Sequence, residues 1–197
     1  MNFLAHLHLA EPTPESRLGN LLGDFVKGRP DDRFSPAIWE GIMLHRRVDV
    51  FTDRHPDWKR SRERLRPELR RFAGIVIDVF YDHFLARHWG AFSTGGESLD
   101  GFVSDCYATF ERHRDWLPEE TAAVVARMAR QDWLRSYGEM AGIARALDRL
   151  SRRSRRLKIL KGSVAELEAN YAAMEADFLA FYPDLRAFAE AERSRGL

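Results

Sequence analysis

The stretch ELRRFAGIVIDVFYDHFLARHW, residues 68–89, is apolar on nearly all sides and too long for a strand. A helix with that pattern passes through the middle of a bundle instead of along its surface. It is not a membrane span, because Asp78, Asp82 and His83 interrupt a run that would need about 20 uncharged apolar residues. The fold it dictates is an all-α, single-domain helical bundle over 1–197, with this segment as its central helix and no membrane partner.

The flanking sequence agrees. β-Branched residues are sparse, and apolar positions recur at intervals of three and four. Thr13 caps a helix that opens at Pro14, carries Leu18, Leu21, Leu22, Phe25 and Val26 on one face, and ends at Gly28. Ser35-Pro36 repeats the start signal for a helix running to about Thr52, closed by His55-Pro56. A third begins near Asp57 and is broken or kinked by Pro67. Beyond the central helix, Ser98 or Asp100 caps one bearing Phe102, Val103, Cys106 and Phe110. Pro118 starts another bearing Val124, Val125, Met128 and Leu134, and Gly138 and Gly142 blur the next boundary. Ser163-Val164-Ala165-Glu166 fits a capping box, after which Leu167, Tyr171, Met174, Phe178 and Phe181 carry the last long helix to Pro183.

With 197 residues and 45% hydrophobic content, one substantial core is affordable and two are not needed. The lone Cys106 makes no internal disulfide, and MNFLAH lacks the basic and long apolar regions of a signal peptide, so the cytoplasm is the expected compartment. A net charge of +1 hides strong asymmetry. Lys59–Arg71 holds seven basic residues against Glu63 and Glu68, Arg145–Lys161 holds eight against Asp148, and residues 163–197 reverse to −4. Three readings fit the basic runs: solvated helix faces, a nucleic-acid surface, or a seat for an acidic protein.

Chemistry enters through polar residues on apolar faces. The stripe Ile38, Ile42 continues at helical spacing into His45 and Asp49, and the central helix places Asp78 and Asp82 four apart beside Leu85 and Trp89. An inward carboxylate must be paired, bonded, bound to a cation or protonated. Asp24 follows Leu21 by three residues, with Gly23 allowing close approach. A divalent metal satisfies Asp24, His45, Asp49, Asp78 and Asp82 together, since imidazole nitrogen and carboxylate oxygen suit Mn²⁺, Mg²⁺, Fe²⁺ or Zn²⁺. His83 lies about 100° around the helix from Asp82, a weaker ligand or a proton donor. His6 and His8, between leucines, read as packing histidines. No Gly-x-Ser-x-Gly elbow or glycine-rich phosphate loop occurs.

Four ordered blocks carry a resemblance: Asn2-Phe3-Leu4-Ala5-His6-Leu7-His8-Leu9; Gly19 through Val26; His45-Arg46-Arg47-Val48-Asp49 with Thr52-Asp53; and Asp78 through His83 with Phe84-Leu85 and Arg87-His88-Trp89. With Tyr171 and Phe181-Tyr182-Pro183 they make the chain resemble the acyl carrier protein phosphodiesterase family over most of its length. The resemblance implies hydrolysis of the bond between 4′-phosphopantetheine and a serine of holo acyl carrier protein, with Mn²⁺ favoured and Mg²⁺ or Fe²⁺ as alternatives. It also implies a distant, HD-domain-like bundle, although the chain contains no contiguous His-Asp pair and Asp82-His83 is the reverse order.

On this reading His45, Asp49, Asp82 and Asp24 ligate the metal, and Asp78 and His83 stand at its edge. His6 or His83 protonates the leaving oxygen, and Arg46 and Arg47 touch the phosphodiester. The strongly acidic carrier protein is the expected partner, held by an Arg-rich surface, with no nucleic acid. Two rivals are an HD-like phosphohydrolase acting on nucleotides, and a basic helical module that binds nucleic acid through the charged runs alone.

Overall fold

In the computed structural model, residues 1–29, 32–93 and 95–195 are described, and every regular element among them is helical. The first five are α1 (Phe3–Leu9), α2 (Pro14–Leu22), α3 (Pro36–Arg54), α4 (Pro56–Arg64) and α5 (Ala73–Arg87). Then follow α6 (Trp89–Phe92), α7 (Leu99–Arg112), α8 (Glu119–Arg130), α9 (Trp133–Ser136), α10 (Met140–Ser151) and α11 (Val164–Arg195). Short 3₁₀ turns occupy Pro67–Phe72, Arg114–Trp116 and Arg155–Leu160.

The start signals act as their chemistry requires. Thr13, Ser35 and Ser98 each accept a hydrogen bond from the amide three residues on, and Pro14 and Pro36 follow the first two caps. The middle of the bundle is α5, where Val76, Ile77, Phe80, Tyr81, Phe84 and Leu85 are fully buried. It packs against α1, α4, α10 and α11. Its helical part is shorter than the apolar run, because Pro67 opens a 3₁₀ turn to Phe72. No described helix is long and apolar enough to cross a membrane.

The tightest pairing is α2 on α3. A side chain at Gly19 would stand 2.3 Å from the Ile38 carbonyl, and one at Gly41 would stand 2.8 Å from the Gly19 Cα, so only glycine permits this backbone approach.

Several sequence expectations shift. The helix opened by Pro14 ends at Leu22, and Phe25 and Val26 lie in the turn beyond it. Leu134 belongs to α9, because Asp132 adopts a left-handed φ of 47° that ends α8. Ser163 forms no capping box: its hydroxyl donates to the Leu160 carbonyl, and Glu166 turns to the Arg66 amide. Pro183 lies inside α11, which bends at Asn170 instead. Proline there forfeits one helical bond, but buried Leu185 and Ala189 hold the next two turns against the core.

Candidate metal centre

The carboxylates and imidazoles converge where α1, α3 and the C-terminal end of α2 meet. The His6 and His45 rings stack with centroids 3.6 Å apart and planes 16° apart. Asp49, one turn after His45 on α3, faces both: Oδ1 is 3.2 Å from His6 Nε2 and Oδ2 is 3.3 Å from His45 Nε2. Ligand atoms of His6, His45 and Asp49 all lie within 4.8 Å of one another. Asp24 stands at the edge, 4.0 Å from His45 Nε2, and its side chain is 42% exposed. The α-amine of Met1 bridges Asp49 Oδ1 at 3.0 Å and Asp78 Oδ1 at 3.3 Å.

His45 is held in a ligating form. Its Nδ1 donates to the Asn20 carbonyl at 2.8 Å, so that nitrogen carries a proton and Nε2 is the ring nitrogen turned to the carboxylates. A ring nitrogen this close to carboxylate oxygens is favourable only with a proton or a cation between them. Gly23 makes the placement possible, since a side chain there would meet His45 Cγ at 2.2 Å. The glycine noted in the sequence thus makes room for the histidine of the neighbouring helix.

His6 is suited to ligation more than to proton donation. Burial, reinforced by His45, lowers its pKa to about 3, so the ring is neutral at physiological pH. Its Nδ1 is buried without a hydrogen-bond partner. Burial opposes ionisation of Asp49, but the Met1 ammonium, His45 and His6 outweigh it and hold the carboxyl well below the usual carboxylate range. Burial raises Asp24, with His45 pulling the other way, and pushes Asp78 up to about 7 against the Met1 ammonium. Two imidazoles and a carboxylate are a donor set that fits a divalent metal such as Mn²⁺; here His6 Nε2 donates to the Met1 carbonyl at 3.0 Å, which leaves the buried, unpartnered Nδ1 as that ring's lone-pair nitrogen.

The remaining candidates lie elsewhere. Both oxygens of Asp82 are taken by backbone amides, Leu4 at 2.8 Å and Ala5 at 3.0 Å. Asn2 gives α1 no side-chain cap, so Asp82 caps the helix from across the core and thereby positions His6. Burial pushes this carboxyl up to about 7, opposed by those two amides. His83 does not join the cluster: its ring bonds the Tyr137 carbonyl at 2.8 Å and the Tyr171 hydroxyl at 3.0 Å, consistent with its offset from Asp82. Arg46 donates to the Val26 carbonyl at 2.9 Å, tying the turn after α2 to α3, and Arg47 pairs with Glu192 at 2.8 Å. His8 turns away to the Tyr182 hydroxyl at 2.8 Å, the packing role its leucine neighbours suggested.

Two participants went unread in the sequence. Asn20 orients His45 through its backbone, and the signal for it was a fully buried amide side chain on the apolar side of α2. The Met1 amine gives no sequence signal at all.

Comparison with known proteins now bears on this geometry. The profile of the family described as acyl carrier protein phosphodiesterase matches residues 1–185. A protein of that name from Escherichia coli O157:H7 is 43% identical over 196 residues, 98% of each chain. One from Serratia proteamaculans is 42% identical over 171 residues, covering 87% of this chain and 88% of the relative. A third, from Photorhabdus laumondii, is 41% identical over 172 residues, covering 87% and 86%. No solved structure matches the chain. A family profile over residues 1–185 and a relative 43% identical across 98% of each chain show that the chain belongs to the acyl carrier protein phosphodiesterase family.

Proposed function

We propose that the chain hydrolyses the phosphodiester joining 4′-phosphopantetheine to a serine of holo acyl carrier protein, releasing apo carrier protein and 4′-phosphopantetheine. The observation that carries the chemistry is the convergence of His6, His45 and Asp49, drawn from two helices, within 4.8 Å. The family's printed name supports the substrate. A divalent metal held by these three residues, Mn²⁺ foremost and Mg²⁺ or Fe²⁺ next, would polarise a phosphoryl oxygen and acidify a water.

The chain's own residues do the rest. Asn20 fixes His45 so that Nε2 cannot turn from the cluster. Asp82 anchors the first turn of α1 and so presents His6. Asp49 supplies the ionised carboxylate. Asp24, at the exposed edge, is placed to hand a proton from Oδ1 to the departing serine oxygen, a role that neutral His6 and remote His83 cannot fill. Incubation with holo carrier protein and each metal, followed by intact-mass analysis, tests this reading. The carrier should lose its phosphopantetheine arm; unchanged holo protein with Mn²⁺, Mg²⁺ and Fe²⁺ sinks it, and faster turnover of free nucleotides would favour the phosphohydrolase alternative.

A further inference from the structure

The two basic runs meet different fates in the fold. In the first, Arg60 and Arg64 are tied to Asp177 and Arg66 to Glu166. Arg70 donates to the Leu65 and Glu63 carbonyls, and Arg71 lies over the Phe72 ring. These cations fasten α4 and its following turn to α11. In the second run, Arg145, Arg153, Arg155, Arg156, Lys158 and Lys161 are exposed, while Arg152 takes the run's one acid, Asp148. A field of one sign therefore faces solvent along the outer side of α10 and the 3₁₀ turn after it.

This strip borders the candidate metal centre. Its helix α10 packs on α5, the helix that carries Asp78 and Asp82. Within the strip, Arg149 lies with its guanidinium over the Trp133 ring, 4.0 Å from its centroid, and so is turned inward from the exposed cations. Arg153 is near enough to Asp24 to oppose, in small part, the rise that burial gives its carboxyl. The strip and the cluster thus lie on neighbouring elements, with Arg153 toward the Asp24 rim.

The scissile bond adds a geometric demand. It joins phosphorus to a serine side chain, so the carrier's backbone must come within one side chain's length of the cluster, and the carrier's own surface must press against that rim. We infer that the exposed face of Arg145–Lys161 is the docking surface on which the acidic carrier protein lies while its serine-linked phosphodiester reaches His6, His45 and Asp49. This rests on the hydrolysis proposed above. Charge complementarity selects the occupant: an unneutralised basic strip meets an acidic protein, whereas five of the seven cations of the other run are tied down within the fold and only Lys59 and Arg62 are left facing solvent.

The test compares two charge reversals in the full chain: Arg145→Glu with Arg155→Glu and Arg156→Glu, against Lys59→Glu with Arg62→Glu in the other run. Arg153 is left alone because of its closeness to Asp24. Binding of apo carrier protein, which lacks the arm and reads the surface alone, is titrated at rising NaCl, and KM is measured on holo carrier protein. The triple variant, melting like the wild type, should bind apo carrier about 30-fold more weakly, lose most of the salt dependence and raise KM, while the double variant matches wild type. Equal binding by the triple variant, or equal weakening by the double, overturns the assignment, as does a wild type that binds a DNA oligonucleotide through the strip and ignores the carrier. Strip-dependent binding of apo carrier without hydrolysis of holo carrier would uphold the docking surface and refute the proposed reaction instead.

Discussion

Two clusters of charge sit in one bundle, and they are built on opposite plans. Asp177 on α11 is 3% exposed, and it receives Arg64 Nε at 2.9 Å, Ser61 Oγ at 3.0 Å and Arg60 Nε at 3.2 Å. Its charge is met twice over by guanidinium groups that need nothing further. Asp49 faces two imidazoles and the Met1 amine, with Asp24 and Asp78 close by. Several acids there share few cations, and one imidazole nitrogen has no partner. Burying charge costs several kcal/mol per ion, so the first arrangement is what a bundle makes to hold helices together, whereas the second leaves acids in excess at an edge where the Asp49 and Asp24 side chains are each 42% exposed.

The comparison breaks most visibly in activity. Asp49→Ala should lower hydrolysis of holo carrier protein by at least about 10³-fold, roughly 4 kcal/mol in the barrier, because it removes the ionised member of the triad. Intact-mass time courses read this directly. Mn²⁺ should raise the melting temperature of the wild type, and the same variant should lose that rise. If Asp49→Ala instead unfolds the protein, the two clusters do the same work and the distinction fails.

Asp177→Ala should do the reverse. Breaking a buried pair costs about 3–5 kcal/mol when the remaining charge stays buried, but Arg60 and Arg64 are 52% and 34% exposed and can turn to water. A loss of about 2 kcal/mol is therefore expected, read as a lower urea midpoint with unchanged slope. Activity per folded molecule and the Mn²⁺ shift should match wild type. A hydrolysis rate that fell with Asp177 would tie α11 to the reaction.

How much of this was legible before folding depends on the range of the interaction. The step from Ile38 and Ile42 to His45 and Asp49 lies on one helix, so its periodicity placed both residues in the cluster. Helix starts at Thr13, Ser35 and Ser98 were readable for the same reason, since a cap and its amide lie three residues apart. Asp82 looked identical to a ligand by spacing, yet its oxygens go to amides 77 and 78 residues away, and nothing local separates a distant helix cap from a metal ligand. His6 was named as a proton donor and not as a member of this cluster, because α1 is seven residues long, too short to show which of its faces meets Asp49. Pro183 marked a helix end by local rules that packing on both sides of it overrides.

The smallest effect examines how far the Asp177 cluster extends. Tyr81, fully buried on α5, donates its hydroxyl to Ser61 Oγ at 3.0 Å, and Ser61 donates on to Asp177 Oδ2. Burial raises the Tyr81 pKa, so the phenol keeps its proton and acts as a donor at any physiological pH. Tyr81→Phe keeps the ring and leaves no cavity, and it removes one neutral hydrogen bond at a cost of about 1 kcal/mol in urea denaturation. That cost should shrink in an Asp177→Ala background, because Ser61 then has no carboxylate to orient it and gains less from an incoming proton. It should persist in full beside Asp49→Ala, which shares no partner with it. Full additivity with Asp177→Ala would show the phenol to be ordinary packing and confine the closed cluster to Ser61 and the two arginines.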